Sequence, residues 1–141
     1  MKRILYIFAA ALLLLLSGAS GTSAAQDGTY DIFNPISKYI SRADVGSLSV
    51  WLDDNVEIII NGHASVCSRS QACRILTSFF KTASPTSFSI RHKVSQANTK
   101  SAIGVLEAGA ATYTVNIFIF YKGEGSENGL KIQMLSINSV K

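Results

Sequence analysis

Histidine, cysteine and carboxylate side chains are few in this chain, and their placement decides which chemistries are open to it. Two histidines and two cysteines stand beside nine acidic residues. General acid–base chemistry needs a titratable group with a polar partner in reach, and His92 is the residue best placed for it. Period-two alternation puts Phe88, Ile90, His92 and Val94 on one face of a strand, with Ser89, Arg91 and Lys93 on the other. A histidine on an apolar face either lines a pocket or is hydrogen-bonded within the structure. In the first case Asn116 or Tyr113 would complete an acid–base pair. His63 follows a turn glycine and is expected in solvent. Asp53 and Asp54 are adjacent and point apart if extended, so they read as a solvated turn before a strand. Glu57 reads as a surface or pocket-rim carboxylate.

Other chemistries lack their parts. There is no G-x-S-x-G elbow for a serine nucleophile and no glycine loop that would cradle phosphate. Cys67 and Cys73 stand six apart and, with two histidines, match no zinc spacing; no metal and no cofactor is expected. The two thiols either bridge or stay free. A helix capped by Ser68 carries Cys73 toward or past the bridging limit of about 7 Å between Cα atoms, whereas a helix starting at Ser70 makes the bridge easier. Tyr39, Trp51 and Tyr113 read as core aromatics or, with His92 and Asn116, as the lining of a pocket for a small apolar ligand.

The elements that would position these residues follow an N-terminal leader. Lys2 and Arg3 precede an apolar run from Ile4 to Leu16, and Ser17 to Ala25 is small and polar. Ser23-Ala24-Ala25 suits cleavage before Gln26. The run of about 13 residues is short of the roughly 20 that span a bilayer, so residues 1–25 read as a signal peptide, with no permanent span after cleavage. Export to the periplasm or beyond is expected, in a Gram-negative envelope. Residues 26–141 read as one domain, with 11 basic against 9 acidic residues once Lys2 and Arg3 are removed. A nucleic-acid site would need a clustered basic face, and Arg91-His92-Lys93 is too small, so no nucleic-acid partner is expected.

Asn34-Pro35 predicts the start of a helix that runs to Ala43, with Asn34 as its cap. Asp44 predicts the cap of a short second helix at 46–52. Val56 to Ile60 reads as a strand, Asn61-Gly62 as a turn and Ala64 to Val66 as its short partner. Ser68-x-x-Gln71 has capping-box spacing and opens a helix at 69–81, with Ala72, Ile75, Leu76, Phe79 and Phe80 in an apolar stripe. Strands are predicted at Ser87–Val94, Ser101–Ala108, Ala111–Tyr121 and Leu130–Ser139, separated by 96–100, Gly109 and a Gly/Glu/Asn-rich stretch at 123–129. This order predicts an α+β fold, with helices on one face of a curved antiparallel sheet of about four long and two short strands.

The helix ending Arg42-Ala43-Asp44, the Leu48-Ser49-Val50-Trp51-Leu52 and Asp53-Asp54-Asn55-Val56-Glu57 segments, Gly62, the helix ending Phe79-Phe80 and the four long strands resemble the NTF2-like (cystatin-like) superfamily. Within it the chain looks like small exported bacterial domains of unknown function. The resemblance covers roughly residues 30–140. It implies a sheet wrapped around the N-terminal helix, a pocket at the wide end and often a dimer, but no particular activity. The ketosteroid isomerase pattern of that superfamily fails here. Ile58 falls where the catalytic aspartate should be, the oxyanion tyrosine falls near Ile36, and the second oxyanion acid falls near Asn116. Without a base there is no proton abstraction to stabilise.

In the strand Ala111–Tyr121, Ile117-Phe118-Ile119-Phe120 is apolar on both faces. One face can lie under a helix; the other needs cover, and a homodimer through the sheet would supply it. The reading is a non-enzymatic exported module that binds a small apolar ligand or a protein partner. Its alternatives are a sheet-mediated assembly protein and a small acid–base enzyme using His92. N-terminal sequencing of the mature protein is expected to begin at or next to Gln26; retention of Lys2 and Arg3 would contradict the leader.

Overall fold

The computed structural model describes residues 31–122 and 129–140. The leader expected at 1–25 and most of the separator after Tyr121 lie outside them. Helix α1 spans Phe33–Ser41 and buries Phe33, Ile36 and Ile40, the i, i+3, i+7 face of an amphipathic helix. It starts before the expected Asn34 cap. Ile32 takes the cap position without a side-chain bond, because Ile32 and Phe33 are both drawn into the core at 3% exposure. Pro35 is then in the first turn, where its missing N–H has no helical partner to lose. Ala43, at φ 56°, turns the chain out of the helix.

Asp44 caps helix α2, Val45–Ser49, by accepting the Ser47 N–H at 3.2 Å. This helix is shorter than the expected 46–52. Trp51 and Leu52 are claimed by the sheet instead: the Trp51 carbonyl accepts the Ile132 N–H at 2.7 Å, and Leu52 opens strand β1, Leu52–Ile60. Asp53 and Asp54 therefore sit within a strand, not in a turn. Asn61 (φ 49°) and Gly62 (φ 84°) form a two-residue turn with both residues in the left-handed region, leading into β2, His63–Ser68.

The Ser68 hydroxyl accepts the Gln71 N–H at 3.2 Å and opens α3, Arg69–Ala83, which buries Ala72, Leu76 and Phe80. Ser84, at φ 56°, ends it. Strands β3 (Pro85–Ser95), β4 (Thr99–Ala108), β5 (Ala111–Tyr121) and β6 (Leu130–Ser139) follow. From β3 to β6 each strand pairs with the next in antiparallel fashion.

The sheet order is β2-β1-β6-β5-β4-β3. The expected antiparallel sheet is in fact mixed, because β1 and β6 pair in parallel. Residue alternation tells which face of a strand is buried but not which strands are neighbours. Asn61 N–H to the Ile137 carbonyl (2.9 Å) and Ser139 N–H to the Asn61 side chain (2.8 Å) hold the upper end of that seam.

One face of the sheet meets the helices. α1 packs near β3, and α3 near β1 and β2. Leu52, Ile58, Leu106, Ile117, Leu135 and Ile137 on this face are at most 1% exposed. The interior is tight enough that a Cβ on Gly104 would fall 2.6 Å from the Phe88 ring and 2.8 Å from the Ser89 carbonyl. Only glycine fits at that point of the strand. Register shifts in β1, β3 and β6 bend the strands and curve the sheet.

Candidate functional site

The β3 bulge relocates the strongest candidate for chemistry. Ile90 pairs with Gly104, but His92 pairs with Ile103, so Arg91 is the extra residue. Unbroken alternation would have kept His92 with Phe88 and Ile90. The bulge turns His92 and Val94 to the outer face, the side opposite the helices of the described residues, where both are exposed. His92 therefore does not share the buried face of Phe88 and Ile90.

The remaining candidates divide between two faces. Tyr39, on α1, and Trp51, before β1, are half-buried against the core. Tyr113 is on the helix side, edge-on to Phe79 with centroids 5.2 Å apart. It lines an open cleft of about 640 Å³ with Asn61, Ser84, Gly109 and Ala110. Asn116 lies on the outer face, opposite Ile103. His92 and Asn116 thus share a face but flank β4, roughly 10 Å apart at two strand spacings. Tyr113 is on the other side of the sheet. These residues do not form the acid–base pair that His92 would require.

Both cysteines are free. Ser68 caps the helix, the arrangement that separates them. Cys67 is buried beneath β1, its sulfur 3.7 Å from the Val56 carbonyl, and burial pushes its thiol pKa up. A thiol held protonated is a poor nucleophile. Among the described residues no group of His, Cys, Asp or Glu could hold a metal, and no helix is long and apolar enough to cross a membrane.

What the sequence did not disclose is a buried carboxylate. Asp53 is 6% exposed and sits where β1 and β6 lose register between Leu52 and Glu57. Gln133 is the extra residue of β6 at the same place. Asp53 Oδ1 accepts from Lys122 Nζ at 2.9 Å and from the Asp54 N–H at 2.7 Å, and Oδ2 accepts from Gln133 Nε2 at 3.3 Å. Asp54 turns away to meet Arg69 at 2.9 Å, and Arg69 also donates to the Leu52 carbonyl at 3.0 Å. The two carboxylates do point apart, as adjacent strand residues must. A faint signal existed: Ile132, Leu135 and Ile137 are spaced three and then two apart, and the odd step is the bulge.

Burial alone would raise the Asp53 carboxyl, but the Lys122 bond and charge, the Asp54 N–H and Gln133 outweigh it and hold it below the usual value. A carboxyl depressed on folding stabilises the fold above its unfolded value of about 3.9. That stability is lost as pH falls through the folded value. Asp53→Asn is accordingly expected to flatten the acid limb of a stability-versus-pH curve below about pH 4. Asp53→Ala is expected to cost about 1–3 kcal/mol at neutral pH by stranding its donors. Thermal melts between neutral and acid pH read both, and acid limbs that coincide for Asp53→Asn and wild type would contradict the assignment.

The outer face is the other distinctive feature. Reading across the sheet from β2 to β3, one row holds Ala64, Ile59, Ser136, Asn116, Ile103 and His92, and the next holds Val66, Glu57, Met134, Phe118, Ser101 and Val94. Ile103 is 44% exposed and Val66 77%. Phe118 and Met134 are half-buried neighbours at the centre, and Phe120 lies beyond them on the same side. Ile119 points inward and is fully buried.

The fold recurs in known proteins. A family protein from Bacteroides uniformis has 19% identity and a TM-score of 0.72, over 79% of this chain and 99% of that one. A designed NTF2-like protein with a long sheet has 14% identity and a TM-score of 0.58, over 74% and 94%. A protein with a cystatin-like fold from Silicibacter pomeroyi has 13% identity and a TM-score of 0.58, over 81% and 77%. No curated protein sequence matches the chain. At these identities the structures show the NTF2-like, cystatin-like fold alone. The family model for a domain of unknown function, DUF4783, matches residues 33–138, and the chain belongs to that family.

Proposed function

We propose that this domain is a non-catalytic, exported association module that receives an apolar protein surface on the outer face of its sheet, with a second copy of itself as the first partner. One observation carries the reading: Phe118 and Met134 are direct neighbours on the face that no helix of the described residues covers, with Ile59 diagonal to Met134 and Ile103 diagonal to Phe118. Soluble monomers rarely leave large contiguous apolar patches in water. A two-fold partner covers such a patch with the same patch.

The helix side supports the same conclusion from the other direction. Its central positions are filled by fully buried Leu and Ile side chains, which leaves the space there to the fold's own core. The Tyr113 cleft is open and lined by alanines and uncharged side chains. Pockets that retain small molecules enclose most of the ligand and present a few directed polar groups, so a protein surface suits this domain better than a small apolar ligand. Export rests on the leader at 1–25.

Sedimentation at tens of micromolar is expected to show self-association. Phe118→Lys, which places a charge in the middle of the face, is expected to weaken it by at least about tenfold. Wild-type protein that sediments as a monomer throughout this range, or a Phe118→Lys variant that associates as wild type does, would contradict the proposal.

A further inference from the structure

An open sheet has two edge strands, and each exposes a row of unpaired backbone groups to other chains. The two edges here are treated differently by the sequence. β3 starts at Pro85, is bulged at Arg91, and carries exposed Arg91 and Lys93. Proline, a bulge and charge are the devices that keep an edge from pairing. β2, His63-Ala64-Ser65-Val66-Cys67-Ser68, has no proline, no bulge against β1, and no lysine, arginine, aspartate or glutamate. His63 to Val66 are all exposed.

The register identifies which backbone groups this edge offers. Asn61 donates its N–H to Ile137 on β6, so the neighbouring Ile60, and with it Ile58, directs its backbone groups the other way, to β2. Their partners are His63 and Ser65. Ala64 and Val66 therefore turn both N–H and C=O outward, away from β1.

We propose that β2 is a strand-pairing edge for a second copy of this chain, antiparallel about a two-fold axis at Ser65. Ala64 would pair with the partner's Val66, and Val66 with the partner's Ala64. Two outward residues separated by one make the edge self-complementary. Each contributes one donor and one acceptor, so four backbone hydrogen bonds close the pair with no backbone group of either residue left over. On the outer face the small Ala64 side chain meets the larger valine, and no like charges meet at the axis. The contact differs from the one at Phe118 and joins two outer faces into one longer apolar surface.

The test uses Phe118→Lys protein, in which the outer-face contact is removed. Sedimentation of this variant up to about 100 µM, a range that captures weak dimers, is expected to show a dimer. Adding Val66→Pro is expected to give a monomer, because the lost N–H points to the edge and the ladder to β1 keeps its bonds. If Val66→Pro fails to give a cooperative thermal transition, Val66→Lys carries the same test by placing on β2 the kind of charge found on β3. Amide exchange supplies the second readout: Ala64 and Val66 are expected to gain protection on dimerisation. A Phe118→Lys protein that is already monomeric, a dimer that survives both Val66 substitutions, or unprotected amides at Ala64 and Val66 in the dimer would overturn the proposal. None of these results depends on whether the Phe118 face itself binds a partner.

Discussion

The parallel seam between β1 and β6 is the constraint on which the rest of the structure depends. It joins the β1–β2 hairpin, with α3 behind it, to the four-strand run from β3 to β6. The seam is regular from Glu57 to Ile60 and irregular below it. A register break inside a sheet leaves ladder groups without their usual partners, and buried polar groups without partners are costly. Asp53 fills that break. Its two oxygens gather Lys122 from the end of β5, Gln133 from the bulge of β6 and the N–H of Asp54, so three strands converge on one carboxylate. The seam then continues into Leu52 and Ile132, both fully buried.

This construction fixes the division of labour between the two faces. With β1 and β6 joined, the leucine and isoleucine side chains of β1, β4, β5 and β6 form a continuous apolar layer under the helices, and the layer is filled. The same registers put Phe118 beside Met134 on the opposite face, with Ile59 and Ile103 diagonal to them, where no helix of the described residues packs. On that face His92 is solvent-exposed and two strand spacings from Asn116, so these two residues do not pair. The β3 bulge has a cost and a use: it removes His92 from the interior and at the same time guards that edge of the sheet.

Local signals made much of this legible. The limits of β5 and β6 follow from alternation bounded by glycine-rich turns. Ser68 and Gln71 announce α3 by their spacing, and Asn61-Gly62 announces the hairpin by its tolerance of positive φ. The missed features are all non-local. Asn34 lost its capping role because Ile32 and Phe33 gain more by burial, which starts the helix two residues earlier. Asp53 looked like a turn residue because its partners lie 69 and 80 positions away in the chain. The parallel pairing of β1 and β6 leaves no trace in either strand's alternation. His92 was placed on the wrong face because one inserted residue reverses every later side chain, and nothing in Arg91-His92-Lys93 marks where the insertion falls.

Oxidative footprinting measures directly whether the outer face of the sheet is the working surface. Brief hydroxyl-radical exposure of dilute and concentrated protein reports the solvent access of each reactive side chain. Met134 and Phe118 are expected to be oxidised in dilute protein and protected in concentrated protein, while Phe79 and Tyr113 on the helix side do not change. Protection at Phe79 and Tyr113 with Met134 and Phe118 unaltered would contradict it.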